Sequence, residues 1–148
     1  MTDAVTSSVK IALPLEATFR AFTEEIDAWY LKNRNTVFDL TSAPTIVLEP
    51  GVGGCLREAH DESSGEGPVL ARVTVWEPPS RIELVDLRDT IIEVTFDEVE
   101  PGTLVTLVHR GLSALEADDP ARRYGWVVVL PWFARYLAQK HTTDRRPA

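Results

Sequence analysis

The chain has 148 residues, of which 44% are apolar and 26% charged, as in one ordinary globular domain. Its 15 basic and 23 acidic side chains give a formal net charge of -8, which argues against nucleic acid or an anionic membrane surface as a partner. No apolar run approaches the roughly 20 residues of a membrane span, and the first residues lack the pattern of a secretory signal. We therefore expect no membrane insertion.

The first predicted elements are one strand and two short helices. Residues 6–12 alternate between polar and apolar side chains, which predicts a strand. Pro14 ends this strand, and apolar side chains then recur at helical steps through residues 15–31. Residues 32–45 are polar and rich in turn formers, so we expect a loop there, with a short strand at most near residues 37–38.

A run of strands joined by short turns follows. Turns this short are typical of an antiparallel meander and not of βαβ units. Alternation places Ile92 and Glu93 on opposite faces of their strand, and Val73 and Trp76 on opposite faces of theirs. We expect a sheet with one solvated face and one covered face. The predicted strands are residues 45–49, 53–60, 68–77, 81–87, 90–100 and 103–111.

A long amphipathic helix is predicted near the C-terminus. Residues 113–116 have the form of a capping box, and residues 118–120 form a second helix start with proline at the first helical position. Pro131 removes one backbone hydrogen bond inside this helix, so we expect a bend there. We assign residues 1–140 to one domain and residues 141–148 to a flexible tail.

This order of elements predicts an α+β fold. A strongly curved antiparallel sheet of about six or seven strands wraps around the long C-terminal helix, with two short helices after the first strand. The sheet and the helix each have one apolar side, so they must pack on each other. Because a strongly bent sheet cannot close on a helix along its whole length, we expect a cavity between them.

Several segments resemble a known superfamily. The pattern GG-x-L-R at residues 53–57, the segment GTLVTLVHRGL at residues 102–112 and the pair Gly125-Trp126 occur in the family's order. Together with the flanking segments they cover residues 9–138. The chain resembles the START-like helix-grip (SRPBCC) superfamily and, within it, the homologues of the heat-shock protein 90 ATPase activator.

The resemblance implies a hydrophobic cavity between the sheet and the terminal helix. Members of the superfamily bind or carry lipids, sterols, hormones and polyketides, and some catalyse cyclisation or dehydration in the cavity. Two departures bear on its shape: Asp86 and Leu87 stand where the family often has tryptophan, and Pro131 is unusual in the terminal helix. The family's namesake suggests a chaperone partner by resemblance alone.

His109 and Asp86 are the weak candidates for catalysis. In a cavity, His109 could donate a hydrogen bond to a ligand carbonyl or act as a general base. The favoured interpretation is a histidine that completes a local hydrogen bond at the strand end. Asp86, Glu93 and Glu58 are the acidic candidates for its partner. Alternation places Asp86 inside and Glu93 outside, and an aspartate that caps a turn is the favoured interpretation of Asp86.

Large apolar side chains are predicted to line the cavity. Aromatic rings at a cavity mouth can stack on a flat ligand, although aromatic residues at helical spacing more often belong to the core. Trp126 is the preferred ligand contact among the tryptophans. The predicted ligand-binding residues are Phe22, Trp29, Trp76, Val94, Phe96, His109, Trp126, Val129, Leu130 and Phe133.

Other motifs give no site. The glycine-rich turn at residues 51–54 lacks the helix and the Lys-Ser/Thr pair of a phosphate loop. His60, Asp61 and Glu62 alternate between the faces of a strand, so they do not converge on a metal ion. We expect neither a metal nor another cofactor.

The sequence therefore predicts the binding of a small hydrophobic ligand that is lipid-, aromatic- or polyketide-like. A non-catalytic protein is favoured. The alternatives are a cyclase- or hydrolase-type enzyme that uses His109, and a chaperone-associated adaptor in a stress response. The single cysteine, Cys55, fits a reducing cytoplasm. Exposed edge strands leave a homodimer open.

Overall fold

The described residues contain seven strands, which form one antiparallel sheet. The computed structural model describes residues 4–30, 45–59, 69–86, 89–112 and 129–144. The strands are β1 (Val5–Ile11), β2 (Thr45–Leu48), β3 (Cys55–Ala59), β4 (Val69–Glu77), β5 (Arg81–Asp86), β6 (Ile91–Val99) and β7 (Gly102–Arg110). Their order in the sheet is β1-β7-β6-β5-β4-β3-β2. Each strand from β2 to β7 thus lies beside its neighbour in sequence, and β1 pairs with β7.

Three helices accompany this sheet in the described ranges: α1 (Leu15–Glu24), α2 (Ile26–Trp29) and α3 (Val129–Asp144). Helix α1 begins directly after Pro14, whose carbonyl accepts a hydrogen bond of 2.9 Å from the amide of Thr18. The predicted α+β fold is confirmed: a curled antiparallel sheet grips a C-terminal helix, and short helices follow the first strand. None of the described helices has the length and apolar composition that a membrane crossing requires.

Some predicted features lie outside the described residues. These are the short strand near residues 37–38 and the helix starts at residues 113–116 and 118–120. The described part of α3 starts two residues before Pro131, so the bend there stays a prediction. At its other end α3 continues to Asp144 and passes the predicted domain boundary at residue 140.

A bulge in β4 corrects the predicted faces of this strand. Val73 pairs with Leu84, whereas Val75 pairs with Glu83 and Trp76 with Ile82, so the register shifts between Val73 and Val75. A bulge inserts one extra residue and thereby displaces the alternation of side chains. Trp76 consequently packs against the buried core, on the same side as Val73. The prediction that they lie on opposite faces was wrong because strict alternation does not anticipate a bulge.

The outer face of the sheet carries a network of charged side chains. Arg81 on β5 donates a hydrogen bond of 2.6 Å to Glu93 on β6. The pKa of the Arg81 guanidinium is raised above its usual value, mainly because of this hydrogen bond. Arg110 on β7 bridges Glu93 at 3.3 Å and Glu83 at 3.2 Å. The predicted outward position of Glu93 is therefore confirmed.

The inner face of the sheet is almost entirely apolar and buried under the helices. On β6, the inward side chains are fully buried, and so are their neighbours on β5 and β7. The buried surface of these side chains is the main source of stability, because each buried large apolar side chain contributes about 1.5–3 kcal/mol. The residues at its centre are Ile82, Leu84, Ile92, Val94, Phe96, Val105 and Leu107.

We expect Phe96→Ala to lower the free energy of unfolding by about 3–5 kcal/mol, because it leaves a cavity between β6 and α1. Thr95→Ala is the matched control, since Thr95 precedes Phe96 on the same strand but is half-buried on the other face. The control should cost less than about 1 kcal/mol. Urea denaturation measures both values. Equal losses in the two variants would contradict the assignment of the two faces.

Candidate functional site

An aromatic cluster fills the space between the sheet and the helices. Phe22 from α1 lies at its centre, with ring centroids 5.5 Å from Phe96 of β6 and 5.2 Å from Phe133 of α3. Trp29 of α2 completes the cluster, 4.9 Å from Phe22 and 5.2 Å from Phe133. Its indole nitrogen donates a hydrogen bond of 3.2 Å to the carbonyl of Phe22. Four predicted ligand-binding residues thus contact one another.

The remaining predicted ligand-binding residues lie at different places. Trp76 is half-buried and packs edge to face on Phe19, with centroids 5.6 Å apart. Trp126 lies outside the described residues. All of these positions stay predictions as ligand contacts. The other apolar members, Val94, Val129 and Leu130, are completely buried in the same core.

His109 lies inside the fold, on the inner face of β7. It has no exposed surface, and its strand neighbours are Ile92 on β6 and Val5 on β1. Its Nε2 atom lies 2.6 Å from the hydroxyl oxygen of Thr90, which is also buried. A hydrogen bond this short between two buried side chains holds the imidazole ring in one orientation.

Asp86 lies at the end of β5, in the turn that leads to β6. Its carboxylate accepts a hydrogen bond of 3.1 Å from the amide of Thr90, and its own amide donates one of 3.0 Å to the carbonyl of Thr90. Asp89 occupies the left-handed conformation between them, with φ of 62°. Asp86 thus caps this turn, which is the favoured interpretation of this residue.

Thr90 connects the two predicted catalytic candidates. Its backbone bonds Asp86 and its side chain bonds His109, so the structure brings both to one place. Glu93 belongs instead to the outer network with Arg81, and the side chain of Glu58 is outside the described residues. Sequence reasoning missed Thr90, although the alternation that turns Ile92 inward also turns Thr90 inward.

A recess of about 180 Å³ opens at this end of the sheet. It lies where β4 begins and β5 ends, and it is partly open to solvent. Ala71 and Asp86, which form a pair across the two strands, both line it. The lining residues are Val69, Ala71, Arg72, Val85, Asp86 and Asp89.

Comparison with known protein families agrees with this geometry. Residues 12–138 match the family model described as "Activator of Hsp90 ATPase homolog 1-like protein". The chain belongs to this family. The match covers nearly all the elements of the described fold, and the resemblance predicted from the sequence is confirmed. Among curated proteins, none matches the sequence.

Solved structures share the fold at low sequence identity. A protein from Mesorhizobium loti is 20% identical with a TM-score of 0.62, and the alignment covers 98% of this chain and 99% of that one. The Aha1 dimer from Colwellia psychrerythraea is 19% identical with a TM-score of 0.62, over 93% of this chain and 96% of that one. DynU16, from the dynemicin biosynthetic locus, is 17% identical with a TM-score of 0.66, over 95% of this chain and 49% of that one. These values establish the fold.

We expect Thr90→Val to lower the free energy of unfolding by about 1–3 kcal/mol, because the buried Nε2 of His109 loses its bond to the Thr90 hydroxyl. Thr90→Ser, which keeps the hydroxyl, should cost less. The double variant Thr90→Val/His109→Leu should cost less than the sum of Thr90→Val and His109→Leu, since the two groups interact. Chemical denaturation of these four variants and the unmodified protein measures the losses, and strict additivity would contradict the interaction.

Proposed function

We propose that this protein binds a small hydrophobic ligand, of lipid, aromatic or polyketide type, between the inner face of the sheet and helix α3. The observation that supports it most is the aromatic layer of Phe22, Trp29, Phe96 and Phe133, which separates the helices from the sheet. Rings packed in this way present large apolar surfaces, and such surfaces line most ligand pockets.

The packing also indicates how a ligand would enter. The helices and β6 meet here through side chains, and the rings lie in tilted or edge-to-face contact. Side-chain contacts can separate without breaking the hydrogen-bond ladder of the sheet. A ligand therefore takes the place of ring-to-ring contacts, and the rotation of Phe133 on α3 is the simplest way to open the space.

The relatives support a ligand-binding domain by analogy. DynU16 comes from the dynemicin biosynthetic locus, and its structure matches 95% of the chain described above. Fold similarity at this identity does not identify a ligand. The ligand class proposed here therefore depends on the apolar character of the inner face. A cytoplasmic location is part of the proposal, supported by the single cysteine, Cys55.

A second candidate function is catalysis at the same place, between the sheet and the helices. The observation that favours it is Thr90, which holds Asp86 and His109 at one end of the sheet. In this alternative, His109 acts as the general base of a cyclase or hydrolase reaction.

A chaperone partner and a homodimer are further proposals. The family name supports the first, and with it a role in the stress response. The Colwellia protein, solved as a dimer, supports the second. Among the described strands, β1 and β2 form the edges of the sheet and are the natural surfaces for pairing between subunits.

Native mass spectrometry of the protein purified from its own host, beside the denatured mass, tests ligand binding directly. We expect an adduct of a small apolar molecule in the native spectrum that is absent from the denatured one. Equilibrium dialysis with naphthalene is the second measurement. A native mass equal to the mass of the bare chain, together with no saturable binding of naphthalene, would show that the proposal is wrong.

The variant Phe133→Ala tests whether a ligand enters by displacing the Phe133 ring. If a ligand must displace the Phe133 ring, its removal should strengthen naphthalene binding about tenfold, because the cost of opening falls while α3 remains. Arg135→Ala is the control, since Arg135 is exposed on the same helix. Binding to Phe133→Ala alone, with none to the unmodified protein, would indicate only an engineered cavity.

His109→Ala tests the enzymatic alternative. Hydrolysis of 2-naphthyl acetate above the buffer rate, lost in His109→Ala while naphthalene still binds, would support catalysis. We expect no such turnover from the unmodified protein. A rate that is equal in both proteins would exclude His109 as the base for this ester.

A further inference from the structure

The inner face of the sheet has two chemically different ends. Along β6, Phe96 marks one end, where the aromatic rings of the helices pack. Thr90 and His109 mark the other end, together with Asp86 in the adjoining turn. A molecule that lies along β6 would therefore meet rings at one end and polar groups at the other.

Thr90 differs from the other buried threonines of the described residues. Thr18, Thr23 and Thr103 each donate their hydroxyl to a main-chain carbonyl, at distances of 2.8–2.9 Å. Such bonds satisfy the backbone at the ends and turns of helices and strands. The Thr90 hydroxyl bonds a side chain instead, the imidazole of His109. This hydrogen bond therefore orients the imidazole ring of His109.

The position does not require polar side chains for packing. Thr90 and His109 lie beside apolar neighbours such as Ile92 and Val5. Replacing both partners of a buried hydrogen bond by apolar groups of similar shape is often nearly neutral for stability. Valine has nearly the same shape as threonine and would pack equally well at residue 90. The hydroxyl group is therefore not needed for packing and can serve to recognise a ligand.

The Thr90 hydroxyl has hydrogen-bonding capacity for a ligand. A threonine hydroxyl offers one donor and two acceptor positions, and the bond to His109 uses one of these. If His109 donates to Thr90, the hydroxyl proton is directed to an acceptor elsewhere. If Thr90 donates to His109, its lone pairs accept from a donor. Either tautomer lets Thr90 bind a hydroxyl group, and the first also binds a carbonyl.

The described charges at this end of the sheet are mainly acidic. Asp86, whose carboxylate accepts a hydrogen bond from the amide of Thr90, also lines the recess, and Asp89 lines it as well. Arg72 lies in the same wall but is exposed. A charged ligand group would have to lose its water on entry, which is far more costly than burying a neutral one.

We propose that Thr90, oriented by His109, is the polar recognition point of the ligand site proposed above, and that the ligand is an apolar molecule with one uncharged hydroxyl or carbonyl group. This inference rests on the proposed function. It adds to that function the ligand's polar group and the residue that determines specificity.

The test compares 2-naphthol with naphthalene, because these probes differ only in one hydroxyl group. Equilibrium dialysis gives the affinity of each probe for the unmodified protein and for Thr90→Val. We expect the ratio of the two affinities to shift about tenfold against 2-naphthol in Thr90→Val. Thr90→Ser should restore the original ratio. Thr95→Val is the matched control, since Thr95 is a threonine on the other face of β6.

Three outcomes decide the matter. A ratio that falls in Thr90→Val and is kept in Thr90→Ser and Thr95→Val supports the inference. Binding of both probes with the same ratio in all variants overturns it and leaves the proposed function intact. No saturable binding of either probe to the unmodified protein overturns both. If Thr90→Val does not fold by circular dichroism, the double variant Thr90→Val/His109→Leu replaces it, with the same expected shift.

Discussion

Contact between the rings of Phe22, Phe96 and Phe133 joins two helices of this protein to its sheet. One ring comes from α1, one from β6 and one from α3, so a single contact region fixes two helices against the middle of the sheet. Backbone hydrogen bonds hold the strands together, but the helices are attached to the sheet largely through apolar side chains. This division lets the layers separate locally while the sheet keeps its register.

The same arrangement explains why the two ends of the inner face differ. Where rings are packed, polar groups would lose their water without finding partners. Where the turn between β5 and β6 approaches, Asp86 satisfies the backbone and Thr90 satisfies His109, so polar side chains can be buried. The outer face has no such restriction, and its charges pair in a network around Glu93.

Much of this fold could be predicted from the residues. Alternation along β6 placed Ile92 inside and Glu93 outside, since both follow from the pleat of a strand. The contact between Thr90 and His109 was missed, because it depends on the register of two strands and not on spacing within one. The aromatic residues were recognised as a group, but their spacing could not tell whether the rings contact a ligand or one another.

The bulge in β4 has a consequence for how this strand can change in evolution. Thr74 is the extra residue between the pair Val73–Leu84 and the pair Val75–Glu83. Loss of that one residue would restore strict alternation and leave every side chain around it on its present face. In evolution, this position can therefore lose a residue without turning the rest of the strand over.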